Sequence, residues 1–274
     1  MTLITTTYLR HMGSDLDVVN NARVSFLKTS QLDELTGELK EDDKRLIRFL
    51  ARGMPETEFN VIVAELTANG YLRESEVVEA LWSFRNTPTH WAPFANGNNI
   101  TFHVRAPIPI MRQVFKHKIG AVESEISRRY VDEEPEFFFP KWREKAPNVK
   151  QGSGGLHNGT IWYEDSGFAG HSSLDSLYDM HIQASLNLYN SMIKGGVCAE
   201  QARFVLPQSM MTEAIVSHSL YGWANFFNQR TDPHAQQEIR DLAEQLGQQI
   251  EPLFPVSWPA LTKANEAYEK ESKE

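Results

Sequence analysis

Ile100-Thr101-Phe102-His103-Val104-Arg105-Ala106-Pro107-Ile108 alternates apolar and polar residues. The chain then runs through Pro109 into Ile110-Met111-Arg112-Gln113-Val114-Phe115-Lys116-His117-Lys118-Ile119-Gly120. A period of two puts Ile100, Phe102, Val104, Ala106 and Ile108 on one face and Thr101, His103 and Arg105 on the other, which is the pattern of a half-buried strand. Pro107 and Pro109 stop the strand, and residues 110–119 predict a helix. On such a helix Arg112 and Lys116 lie one turn apart, as do Gln113 and His117, giving two adjacent polar ridges beside apolar Val114, Phe115 and Ile119. Glu125, Ser127, Arg128 and Arg129 follow within ten residues of Gly120. In a chain of net charge -9, this local concentration of cations reads as a site for a bound anion. Hydroxyl, carboxylate and guanidinium together suit a sugar phosphate, whose oxygens an arginine grips bidentately.

Outward from this stretch, residues 3–9 predict a first strand, followed by a polar segment over 10–20. Residues 41–54, 57–69 and 75–85 carry apolar residues at spacings of three and four, as in Leu46, Ile47 and Leu50, and predict three helices. Residues 140–173 are rich in Gly, Pro, Ser and Asn and predict a long surface loop. A helix is expected over 174–194, closed by Gly195-Gly196. Another is expected over 208–229. A third starts from Asp232 as N-cap and Pro233 at its first position, with Ala235, Ile239, Leu242, Leu246 and Ile250 as its apolar stripe. The residues after 261 read as a charged tail. Strands and helices therefore mix without regular alternation. The expected fold class is α+β, with a small, mostly antiparallel sheet in a single domain over 1–261 and the tail at 262–274.

Composition excludes several functions. With 41% hydrophobic residues in 274, the chain buries roughly 70–75% of its unfolded surface and has room for a cavity. The acidic balance argues against nucleic-acid binding, which draws on phosphate neutralisation over a broad surface. No apolar run approaches a membrane span. The single cysteine, Cys198, fits a reducing compartment, so a cytoplasmic location is expected. It reads as a small buried hydrophobe, so that Cys198→Ala is expected to keep activity. No His, Cys and carboxylate set has zinc spacing. His103 and His181 read as isolated structural histidines, Phe137-Phe138-Phe139 with Trp142 as packing, and Met210-Met211 as core.

The run Lys116-His117-Lys118 to Ser127-Arg128-Arg129-Tyr130, preceded by Arg112-Gln113, resembles the signature of the flavin-dependent thymidylate synthases. Asn21-Ala22-Arg23-Val24-Ser25 resembles that family's N-terminal segment, and His90-Trp91-Ala92-Pro93-Phe94 its histidine loop. Residues 200–207, around Arg203, resemble its second arginine motif. Residues 230–240, from Arg230-Thr231-Asp232-Pro233-His234 onward, resemble its C-terminal one. The motifs occur in the family's order over about 10–255.

The resemblance implies an enzyme that methylates dUMP to dTMP, with methylenetetrahydrofolate as carbon donor and with FAD and NADPH supplying the electrons. It also implies a homotetramer whose active sites lie between subunits. Carried over by motif, Lys116, His117, Lys118, Glu125, Ser219, Tyr221 and Asn225 would contact FAD. Gln113, Lys116, Glu125, Ser127, Arg128, Arg129, Arg203 and Arg230 would line the dUMP site, with Arg230 the catalytic residue facing the pyrimidine. The chain departs from the family pattern in having lysine at 116 and 118 in place of arginine, and in a spacer before Ser127 one residue longer than usual. It also has Tyr221 where many relatives carry arginine, and Ala92 at a position often hydroxylated. A divergent relative that leaves a hydroxymethyl group on the pyrimidine, and a flavin- or nucleotide-binding protein without turnover, stand as alternatives.

Overall fold

The structure is a computed structural model and describes residues 3–54, 56–70, 87–131, 133–147, 152–165 and 167–262. Its strands are β1 (Thr5–Met12), β2 (Asn99–Pro107), β3 (Ala121–Glu125), the hairpin pairs β4 (Arg143–Lys145) with β5 (Ser153–Leu156) and β6 (Thr160–Asp165) with β7 (Phe168–Ser173), and β8 (Met211–Ser219). Four of them form one sheet in the order β1-β2-β8-β3, and every pairing is antiparallel. The described helices are α1 (Asp15–Arg23), α2 (Glu41–Ala51), α3 (Glu56–Ala68), α4 (Ala92–Ala95), α5 (Ile108–Val114), α6 (Leu174–Lys194), α7 (Ala199–Ala202), α8 (Leu220–Arg230), α9 (Gln237–Ile250) and α10 (Ser257–Thr262). The fold is α+β.

The alternation in β2 does what its period predicts. Ile100, Phe102, Val104 and Ala106 are fully buried against Trp223 and Phe226 of α8 and the stripe Ile239, Leu242, Leu246 and Ile250 of α9. Each of the larger side chains in this group contributes roughly 1.5–3 kcal/mol on burial. On the opposite face, polar residues pair across strands. Thr101 Oγ1 lies 3.0 Å from Ser217 Oγ, and Glu213 receives both His103 (2.9 Å) and Arg105 (3.1 Å). The outer edge of β1 would present unpaired backbone groups. Glutamines of α9 cover it: Gln249 Oε1 accepts from Tyr8 N at 2.9 Å, and Gln249 Nε2 donates to the Thr6 carbonyl at 3.1 Å.

Several expectations give way to tertiary structure. Residues 208–229 are not one helix but β8 followed by α8. Thr212, Ala214, Val216 and His218 face inward, and pairing with β2 over nine residues overrides a spacing that also fits a helix. Ser219 ends the strand and caps α8, its Oγ accepting from Gly222 N at 3.1 Å. The helix expected over 110–119 ends at Val114, so His117 and Lys118 sit in a turn before Gly120, whose φ is +76°. The ridge pairing of Gln113 with His117 therefore does not form. Residues 140–173 carry two hairpins where a loop was expected. The polar segment 10–20 contains the start of α1, capped by Ser14. The final long helix begins at Gln237, and Asp232 instead accepts from His234 N in a turn at 2.7 Å. Cys198 is exposed rather than buried. The helix predicted at 75–85 and the tail from 263 lie outside the described residues. Phe137 packs with Ile182, Leu186 and Met210, while Phe139 and Trp142 meet Tyr178 edge to face. Among the described residues no helix is long and apolar enough to cross a membrane, and no cluster of potential metal ligands occurs.

Candidate functional site

The short helix α5 separates two cavities. It leaves β2 at its central position in the sheet, and two consecutive side chains point different ways: Arg112 lines one cavity and Gln113 the other. This is the roughly 100° step per residue of a helix.

The first cavity, about 540 Å³, lies between the end of β3, the start of β8 and the turn after α7. Arg112, Glu125, Ser127, Arg128 and Arg203 all line it. Its cations are oriented by fixed partners. Arg112 donates to Gln208 Oε1 at 2.9 Å, Arg128 to the Glu133 carbonyl, and Arg203 Nε to the Glu200 carbonyl at 3.2 Å. Thr212 donates to Glu125 Oε1 at 2.7 Å. Arg105 sits deeper, bound to Glu136 at 2.7 Å and Glu213 at 3.1 Å. Of the four arginines lining this cavity, Arg105 is ion-paired, while Arg112, Arg128 and Arg203 are held by amide or backbone carbonyl oxygens with Glu125 nearby.

The second cavity, about 610 Å³, is floored by Gln113 and Arg230 and walled by Trp142 and Arg143 of the β4–β5 hairpin and by His234 and Glu238 from the entry to α9. The hairpin is fixed there. Arg143 grips both oxygens of the buried Glu238 at 2.8 and 2.7 Å, and Trp142 Nε1 donates to Asp175 at 2.7 Å. Burial works against the Glu238 carboxylate, but the hydrogen bonds and charge of Arg143 outweigh it and hold its pKa below the usual range.

Arg230 differs from the other arginines of these cavities in leaning on an imidazole. Its Nε donates to His117 Nε2 at 3.0 Å and its Nη2 to the Gln113 carbonyl at 3.4 Å. Among the described residues no carboxylate pairs with it. Accepting at Nε2 requires a lone pair there, so His117 is neutral with its proton on Nδ1. Burial and the Arg230 charge push the His117 pKa down to about 4. Burial also holds Arg230 below its ordinary value.

The turn that carries His117 lies along α8. His117 meets Phe226 edge to face at 5.0 Å, and Gly120 faces Ser219. The two segments expected to contact flavin, 116–118 and Ser219 with Tyr221 and Asn225, thus adjoin one another. Tyr221 leads on to a third cavity, about 840 Å³, through a tilted contact with Trp91 at 5.7 Å. Here the N-terminal segment meets the histidine loop: Asn21, Arg23 and Ser25 lie opposite His90 and Trp91, and Phe49 stacks on His90 at 5.8 Å. Arg23 is occupied in pairing with buried Asp43 at 2.5 Å.

Some expected residues are not brought in. Lys116, Lys118 and Arg129 line none of these three cavities. Lys118 pairs with Glu123, and Arg129 lies over the ring of Tyr130 at 5.1 Å. Conversely, sequence reasoning passed over the Trp142–Arg143 wall, because nothing in a Gly- and Pro-rich stretch announces a two-stranded ribbon.

The sequence profile described as "thymidylate synthase complementing protein" matches residues 7–256. The chain is 30% identical over 92% of its length, and 88% of the relative's, to a flavin-dependent thymidylate synthase of Thermosipho africanus. It is 28% identical over 93% of its length, and 88% of the relative's, to that of Thermosipho melanesiensis. Among solved structures it resembles the UMP/dUMP methylase PolB of Streptomyces cacaoi, bound with 5-Br dUMP, at TM-score 0.65 and 24% identity over 96% of each chain. Motifs, fold and relatives agree: the chain belongs to the thymidylate synthase complementing protein family.

Proposed function

We propose that this protein methylates dUMP to dTMP, taking the carbon from methylenetetrahydrofolate and the electrons from NADPH through FAD. The observation that carries the reading is Arg230, a half-buried guanidinium with no carboxylate partner among the described residues, held by a neutral imidazole. Such a cation is matched to negative charge that develops during reaction, because no fixed anion competes for it. Placed against a uracil ring, it stabilises charge on the ring's oxygen and nitrogen edge as C5 gains electron density. Its planar fork fits that edge better than an ammonium would.

The 116–120 turn and the start of α8 fit a flavin. Their donor set combines exposed ammonium groups at Lys116 and Lys118, the Ser219 hydroxyl and the Asn225 amide beside the His117 ring. FAD bound there would supply hydride chemistry. Arg203, Arg128 and Ser127 would hold the nucleotide phosphate, each charge-assisted bond contributing about 1.5–3 kcal/mol. Glu125 would stand beside both ligands, and Arg129 would act across a subunit contact. Because the phosphate grip and Arg230 lie on opposite sides of α5, we assign them to complete sites formed between protomers of a homotetramer.

The test is product identification. Purified protein should be yellow, lose its flavin absorbance with NADPH and dUMP, and convert labelled dUMP to dTMP when methylenetetrahydrofolate is present. A 5-hydroxymethyl product, or preference for UMP, would select the divergent-relative reading. Flavin uptake without any product would select the binding-only one.

A further inference from the structure

Two guanidinium groups, those of Arg143 and Arg230, line the second cavity, and among the described residues Glu238 is the only carboxylate that does so. Arg143 takes both of its oxygens. Its Nη2 donates to them at 2.8 and 2.7 Å, while its Nε donates to Ser153 Oγ at 2.8 Å and ties β4 to β5. Glu238 is 7% exposed. An ion pair so buried adds little net stability over an apolar pair of the same volume, because both charges give up their hydration. Two aliphatic side chains would brace the ribbon against α9 as well. What the ion pair fixes in addition is the place of the negative charge.

Arg230 stands close to that charge. Its Nη2 donates to the Gln113 carbonyl at 3.4 Å, the Gln113 side chain donates to Gln236 Oε1 at 2.9 Å, and Glu238 lies two residues beyond Gln236 in the first turn of α9. Of the other charged or titratable groups lining the cavity, His234 is held by Asp232 at 3.0 Å and Lys141 is exposed to solvent. Two inner cations thus face one anion. A carboxylate released from Arg143 would be drawn toward Arg230, since opposite charges attract several-fold more strongly in a part-desolvated cavity than in water.

We infer that Arg143 is a positioning residue: it sequesters the Glu238 carboxylate, so that the Arg230 guanidinium keeps its charge for the reacting pyrimidine. The inference rests on the role given to Arg230 in the reaction. Charge counting separates it from a mere brace. With Arg143 and Glu238 paired, Arg230 is uncancelled; in Arg143→Met the freed carboxylate cancels it; with Glu238→Gln added, Arg230 is uncancelled again. A brace is missing equally from the single and the double variant.

The test compares wild type, Arg143→Met, and Arg143→Met combined with Glu238→Gln, as full-length, flavin-loaded proteins at pH 8, where a carboxylate beside Arg230 is ionised. Crystal structures of the two variants are read together with kcat and KM for dUMP. In Arg143→Met we expect a Glu238 oxygen within about 4 Å of an Arg230 nitrogen. There kcat should fall about tenfold, with KM changed less than about twofold. The double variant should return to within about twofold of the wild-type kcat. A Glu238 side chain that stays away from Arg230, or a double variant as slow as the single, overturns the proposal. If Arg143→Met does not fold, Arg143→Gln, which keeps a donor for the carboxylate but not the charge, carries the same comparison of kcat with and without Glu238→Gln. Should Glu238 move onto Arg230 with turnover undiminished, sequestration stands and Arg230 loses its part in the chemistry. A wild-type protein that makes no product sinks the reaction reading alone, and the movement of Glu238 still decides sequestration.

Discussion

The two cavities flanking α5 use the same residue type in opposite electrostatic settings. On the Arg203 side, guanidinium groups share their space with Glu125, Glu133, Glu136 and Glu213. On the Arg230 side, where Arg143 and Glu238 are spent on each other, the Arg230 guanidinium leans on a neutral imidazole. The first arrangement holds cations in place for a charge already present in the ground state and limits their field. The second leaves a cation under-compensated and partly desolvated, so its field acts strongly on charge that appears later. On the proposed function, the difference gives binding to one side and rate acceleration to the other.

That division is open to direct attack. The largest expected effect is on Arg230→Ala, which should keep its flavin spectrum but lose kcat on the order of 100-fold or more, as for removal of a donor aimed at developing charge. A variant that turned over normally would erase the contrast. Arg203→Ala should instead raise KM for dUMP on the order of 10-fold or more with kcat little changed, since a ground-state charge-assisted contact is lost. An equal fall in kcat would place both arginines in one role. Mixing these two inactive or impaired variants sharpens the point. If the halves come from different protomers, co-assembled tetramers should recover up to about a quarter of wild-type activity, whereas sites built within one protomer would show no such gain.

Acid should act on the Arg230 side first. His117 and His218 have folded pKa values near 4 and ordinary values of 6.5. Between these limits the unfolded chain binds more protons than the folded one, so stability falls as pH drops from about 6.5 to about 4. The buried His218 alone contributes on the order of 3 kcal/mol across that window. Denaturant melts at pH 7 and pH 4.5 measure it, and His218→Phe should flatten the dependence. The smallest effect belongs to Cys198→Ala. The thiol is exposed and lines none of the three cavities, so turnover should be unaltered. A loss of turnover with intact folding would point to a thiolate mechanism in place of the flavin one.

Much of this was legible in the chain because the decisive signals are local. The period of two from Ile100 to Ala106 needs only the pleat of a strand, and the arginine motifs carry their order with them. Signals that depend on partners were not legible. Residues 211–219 fit a helix or a strand by spacing, and only the neighbouring β2 decides between them. The helix over 110–119 stopped early because its polar end is drawn into a turn whose His117 accepts from Arg230 of α8, about a hundred residues distant in sequence. The ribbon at 143–156 owes its place to Arg143 reaching Glu238, a pairing that neither segment announces alone. For the site, residue identities were readable but the split into two cavities was not, since it follows from the direction of adjacent side chains on a seven-residue helix.

The most direct test of the account is a crystal structure of the assembled protein with FAD and 5-bromo-dUMP. The account predicts the pyrimidine edge within hydrogen-bond distance of Arg230, the phosphate on Arg203 and Arg128 of a second protomer, and the flavin against the 116–118 turn. A nucleotide bound with its ring remote from Arg230 in every protomer would contradict it.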